Sequence, residues 1–238
     1  MFAEGAYATH VVPCLPSTPY TLSESFHAGD TKTLTNPTGA RGTLEGQTLS
    51  LCTAPTNDDR GSLEWIAVGA SNSVRGLDLV QIGLIKCTNP GYSVCTGGMR
   101  YFWTWGRDPA TPGCAGTLYV PPIPISLGAW GGTSQEFIVA LASGYWKVYR
   151  GGVFQDQVAA TNICWTRGLA MWQGEAWNKG DQIGGVAGDK YAISTARYQA
   201  VAGGAWLNPS LVAPCAQTNN PFYCEVGASD VVNTWTAH

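Results

Sequence analysis

Two polar side chains stand where the surrounding pattern is apolar. Residues 169–177 read Leu169-Ala170-Met171-Trp172-Gln173-Gly174-Glu175-Ala176-Trp177, and residues 79–84 read Leu79-Val80-Gln81-Ile82-Gly83-Leu84. Only 12% of the chain is Asp, Glu, Lys or Arg, against ~25% in an ordinary soluble domain, so a carboxylate and an amide inside such runs need a reason. A part-desolvated carboxylate can serve as a general acid or base. An amide N–H can hold a developing oxyanion. Glu175 and Gln81 together would make a hydrolytic pair in which the carboxylate takes a proton from water. Taken singly, each has an ordinary use: Glu175 as a rim carboxylate at the end of a strand, Gln81 as a satisfied core or cleft amide.

Other chemistries find no residues to carry them. Of the three histidines, His10 and His238 lie at the ends, and His27 sits in a Ser-rich segment, so no Ser/His/Asp triad is credible. No phosphate loop, dinucleotide fingerprint or EF-hand loop occurs. Asn57-Asp58-Asp59 runs into Arg60-Gly61 and reads as a turn rather than a calcium site. The eight cysteines, at 14, 52, 87, 95, 114, 164, 215 and 224, include no Cys-x-x-Cys pair and have no histidine at zinc-ligand spacing. No metal or cofactor is expected. Disulfides are, and with them a secreted or extracellular protein. Cys87–Cys95 and Cys215–Cys224 are the favoured local pairs, each closing a loop with Gly, Pro or Asn, which leaves Cys14, Cys52, Cys114 and Cys164 for longer links. A net charge of -3 without a basic cluster argues against nucleic acid or an anionic membrane as partner. No apolar run reaches the ~18 residues of a bilayer span. The first ten residues lack a basic start and an apolar core, so a mature or trimmed form is expected.

Strands must position these groups. Residues 63–68, 77–86, 100–105, 136–142, 145–149, 153–158, 169–177 and 191–201 have the alternation and the β-branched and aromatic content of strands. Residues 47–52 read as an edge-type strand. Ser143-Gly144 and Arg150-Gly151-Gly152 mark hairpin turns. Residues 109–124 hold too many prolines for anything but loop or edge. With period two, Leu79, Gln81, Gly83 and Ile85 share one face of their strand, and Met171, Gln173, Glu175 and Trp177 one face of theirs. No helical stripe is long enough to predict a helix. Short strands with regular turns imply an all-β sandwich or jelly roll. At 238 residues it is one compact unit, read as a Thr/Ser/Pro-rich extension over 1–60 packing on a sandwich domain over 61–238.

The strand motifs carry a resemblance. Trp65-Ile66-Ala67-Val68-Gly69, then Leu79-Val80-Gln81-Ile82-Gly83-Leu84-Ile85-Lys86-Cys87, then Tyr101-Phe102-Trp103-Thr104-Trp105 resemble the WVGIDG, ILQTGV and WYEWYP strands of the glutamic peptidases called eqolisins, in the same order. The family's AEFIIEDF-like strand, a few residues after a Cys, is matched by residues 170–177 after Cys164. Trp172-Gln173-Gly174-Glu175-Ala176, followed by Asp181-Gln182-Ile183-Gly184-Gly185, is similar to the WGGEV and TTTQMGSG-like stretches of the related neprosin family. The resemblance implies a disulfide-stapled, concanavalin-like antiparallel sandwich acting on peptide or protein substrates. Glu175 would activate a water and then protonate the leaving amine. Gln81 would polarise the carbonyl and hold the oxyanion, and Trp65, Trp103 and Trp105 would line the substrate cleft. Two carboxylates of the eqolisin pattern are absent: Gly69 stands for an Asp and Thr104 for a Glu.

Two other functions fit the same fold. Ten Trp and ten Tyr could stack on sugar rings in a non-catalytic carbohydrate-binding module. Low charge, abundant Gly and many cysteines also suit a self-assembling structural protein. The oligomeric state stays open.

Overall fold

A strand with one apolar face must pair and then bury that face, so the pattern above requires at least two sheets. The computed structural model describes residues 26–32, 36–52, 60–73, 76–178, 181–215 and 221–237. Within them lie β1 (Phe26–Lys32), β2 (Gly39–Leu44), β3 (Gly61–Gly69), β4 (Leu79–Cys87), β5 (Arg100–Trp105), β6 (Ile125–Ala129), β7 (Gln135–Ala142), β8 (Tyr145–Arg150) and β9 (Val153–Ala159). A helical turn, α1 (Ala160–Ile163), leads to β10 (Leu169–Ala176), β11 (Gly185–Val186), β12 (Asp189–Gln199), β13 (Trp206–Leu207), β14 (Phe222–Ala228) and β15 (Val231–Thr236). Six strands form one sheet in the order β1-β10-β3-β4-β5-β6. The other runs β14-β15-β11-β12-β2-β7-β8-β9, with β13 paired to β12. The sheets pack as a sandwich, and the fold class is all-β as expected.

The core lies between the sheets. Ile66, Val68, Val80, Ile82, Ala170 and Trp172 from the first sheet meet Phe137, Val139, Trp146, Val148, Tyr191 and Ile193 from the second. Trp172 is fully buried and donates its indole N–H to the carbonyl of Arg41 at 2.8 Å, tying β10 to β2. Trp172→Ala is expected to cost about 3–5 kcal/mol, measurable as a lowered urea midpoint with an unchanged slope.

Residues 143–144 and 151–152 make the two hairpin turns. Ser143, Gly144, Gly151 and Gly152 have φ of 53°, 79°, 54° and 77°, the left-handed backbone that two-residue turns of primed type require. Cys87–Cys95 and Cys215–Cys224 are bonded, and Cys114 pairs with Cys164. Cys52 is disulfide-bonded as well.

The reading of residues 1–60 as an extension is corrected in its described part. β1 pairs with β10 inside the first sheet, and β2 lies between β12 and β7 inside the second. Their sequences, FHAGDTK and GARGTL, hide this because glycine occupies positions pressed against a neighbour. A Cβ on Gly29 would stand 2.5 Å from Gln173 Cγ. Residues 47–52 are not a strand: only Ser50 forms a bridge, to Gln182. The turn α1 was not expected, nor were β6, β14 and β15. Asn57-Asp58-Asp59 lies outside the described residues.

Candidate functional site

Strand register decides which side chains can meet. Along the outer face of the six-stranded sheet, Gln81 on β4 is opposite Ala67 on β3 and Thr104 on β5. Ala67 is opposite Met171 on β10, which is opposite Thr31 on β1. These five side chains form one row. Glu175 belongs to a different row, with Leu63 and Ile85 on one side and His27 on the other. The rows are four residues apart along the strands, about 13 Å, and β4 and β10 are two strand spacings apart, about 9.6 Å. Gln81 and Glu175 therefore share a face with their Cα atoms about 16 Å apart. A general base must come within about 3 Å of the water it activates. The hydrolytic pair of Glu175 and Gln81 expected from the sequence is therefore not brought together around one water.

Glu175 is held in place. Its Oε2 accepts the Trp65 indole N–H at 3.0 Å, and its Oε1 accepts the Trp177 indole N–H at 3.1 Å. It is 8% exposed. A second apolar cluster covers this end of the sheet: Leu63, Trp65, Ala67, Ile85, Val94, Phe102 and Trp177, with Tyr92 and Met171 packed against it. The Cys87–Cys95 disulfide fixes the loop that brings Tyr92 and Val94 over the strands.

Gln81 has different surroundings. It is 6% exposed, and its Oε1 has no hydrogen-bond partner among the described residues. Thr104, fully buried, donates its hydroxyl to the Ile123 carbonyl at 2.9 Å. Met171 reaches along β10 so that its methyl lies 2.7 Å from where a Cβ on Gly69 would stand. The methyl thus occupies the space that a side chain at 69 would need. No carboxylate stands in the Gln81 row.

The tryptophans separate by parity. Trp65 is on the outer face but is 2% exposed, and it serves Glu175. Trp103 and Trp105 alternate with Phe102 and Thr104 and so point the other way, into or against the inter-sheet core. They do not line the face that carries Gln81.

Of the buried carboxyl groups besides Glu175 (Asp30, Glu64, Asp78, Asp108 and Asp181), burial pushes two upward, and the sequence singled out neither. Glu64 lies on the inner face of β3, fully buried, with Oε1 accepting the Gly184 N–H at 2.6 Å and the Thr234 hydroxyl at 3.2 Å. Burial pushes it up to about 8 against those two hydrogen bonds. Asp181 accepts the backbone N–H groups of Cys52 at 2.8 Å and Gly61 at 2.9 Å, and burial raises it to about 7. The signal for Glu64 was its phase: it alternates with Ile66 and Val68, the core positions of the strand. Among the described residues no group of three or more His, Cys, Asp or Glu is gathered as a metal site.

Sequence comparison with family models and with curated proteins gives no match. The fold does match. SCP-B, a member of the eqolisin family of peptidases solved with the tripeptide Ala-Ile-His, superposes with a TM-score of 0.54 at 10% identity. Scytalido-glutamic peptidase, solved with a transition-state analogue inhibitor, gives 0.56 at 10% identity. Both alignments cover 90% of this chain and 98% of the other. The fold is that of the eqolisin peptidases. Position 171, in the Gln81 row, carries Met171 and no carboxylate.

Proposed function

We propose that this chain binds extended peptides on the outer face of an eqolisin-type sheet without cleaving them through a Gln81–Glu175 pair. The observation that carries this is the row Met171–Ala67–Gln81, in which a thioether occupies the place from which a carboxylate could reach the amide. Gln81, with an unpartnered Oε1, offers an amide to a peptide backbone. The eqolisin-fold neighbours, solved with a tripeptide and with a peptide-based analogue, favour peptide as the ligand class. Disulfide bonds and the lack, among the described residues, of a helix long and apolar enough to cross a membrane fit an extracellular site of action.

Glutamic-peptidase hydrolysis is the alternative, favoured by Gln81 and Glu175 sharing one face. It requires substrate to draw together two rows that the sheet holds apart. A random octapeptide library, scored for binding and for new termini by mass spectrometry between pH 3 and pH 8, separates the two. Binding without new termini is expected, weakened about tenfold in Gln81→Ala by loss of one hydrogen bond. Cleavage that disappears in Glu175→Gln, with the melting temperature unchanged, would establish hydrolysis instead.

A further inference from the structure

Residues 181–186 run over the seam between the two sheets, with Ile183 buried against Ala28, Ala176 and Phe222 and the rest held by hydrogen bonds. Asp181 is tied to the backbone of Cys52 and Gly61. The Gln182 carbonyl accepts the Ser62 hydroxyl, and the Gln182 N–H bonds to the Ser50 carbonyl at 3.2 Å. Gly184 donates to Glu64, whose other donor, Thr234, comes from β15 in the opposite sheet. β11 adds two residues of pairing to β12 and one to β15.

Gly184 must be glycine here, because a Cβ would sit 2.4 Å from the Tyr191 ring. Ile183 and the Glu64 carboxyl converge over Gly174, which likewise has no room for a Cβ. This segment therefore roofs the Glu64 carboxyl. The titratable group facing Glu64 from the neighbouring elements is Tyr191 of β12, which also feels Glu45 after β2. Arg60 is the charged group facing Asp181. No cation faces Glu64 among these groups to balance a negative charge.

We propose that residues 181–186 form a strap, latched across the sheets by Glu64 and Asp181, that lifts locally as the pH rises. An ionised carboxylate in this place keeps its two hydrogen bonds but lacks water. Lifting the strap supplies the water at the cost of the short β11 pairings and leaves the β12–β15 ladder in place. The strap also follows directly from the region of Trp177, whose backbone N–H bonds to the Gly61 carbonyl at 2.9 Å and whose indole holds Glu175. Its release would loosen that end of the outer face.

Hydrogen exchange of the whole chain tests this, corrected for the intrinsic pH dependence of amide exchange. Amides of residues 184–186 are expected to lose protection about tenfold per pH unit for each carboxyl that must ionise on opening. That is about a hundredfold per unit between pH 5 and pH 7, where both Glu64 and Asp181 act, and about tenfold from pH 7 to pH 8. β8 amides should stay better protected than the strap throughout. Glu64→Gln should abolish the pH 7–8 dependence. If that variant does not fold, Asp181→Asn should reduce the pH 5–7 loss to about tenfold per unit. Equal protection for strap and β8, a pH-independent strap, or an unchanged slope in the folded variant would overturn the proposal.

Discussion

Stability is expected to rise as the pH falls from 8 to 4.5, the reverse of ordinary acid denaturation. Glu64 stands at about 8 in the folded chain against an ordinary value of 4.5, and Asp181 at about 7 against 3.8. Both values are raised, so folding favours the protonated forms. Their contributions are complete below the unfolded values and are lost as pH climbs through the folded ones. Each group ties on the order of 4–5 kcal/mol to its proton. Glu225, lowered by its hydrogen bond to Lys190, works in the opposite direction, but only below the ordinary carboxylate range. Urea midpoints at pH 4.5, 6 and 8 should therefore decrease in that order. Glu64→Gln keeps an acceptor for Gly184 and Thr234 but cannot ionise. It should flatten the upper half of the profile and be more stable than the parent at pH 8. A parent midpoint that is level or rises towards pH 8 would show that neither carboxyl is held as described.

The fold was legible wherever alternation was strong. Residues 100–105 form β5 with the bounds expected, and the faces assigned to β4 and β10 are those observed, because a period of two leaves no freedom once one face is buried. β1 and β2 were illegible for the opposite reason: their glycines answer to contacts with Trp172, Gln173 and Ile66, which no local pattern announces. The site was legible face by face and illegible row by row. Sequence places Gln81 and Glu175 on one surface, but which residue of β10 stands opposite Ala67 is set by long-range pairing. Trp103 and Trp105 show the same limit. They are aromatic, as a cleft wall would be, yet parity within β5 turns them inwards. The two missing carboxylates at 69 and 104 make sense only with register known. Gly69 makes room for the Met171 methyl, and Thr104 spends its hydroxyl on Ile123.

Met171→Glu is expected to create peptide hydrolysis where the parent has little or none. The substitution puts a carboxylate in the Gln81 row at a Cα separation of about 9.6 Å. Ala67, whose side chain is a single methyl, is the residue between them in the row. Met171 is half-buried at the border of the second apolar cluster, so the new charge keeps access to solvent and the fold should tolerate it. General-base assistance from a placed carboxylate is worth about 10²–10⁴-fold, and cleavage of the octapeptide library should rise by that order over the parent. Met171→Gln, with the same shape and no base, should gain nothing. Adding Gln81→Ala to Met171→Glu should remove most of the gain, since the oxyanion then loses its amide donor. Glu175→Gln in the same background should leave the gain in place, because Glu175 belongs to a row about 13 Å away. If a folded, peptide-binding Met171→Glu cleaves no faster than the parent, a carboxylate at 171 is not what separates this sheet from a hydrolytic one.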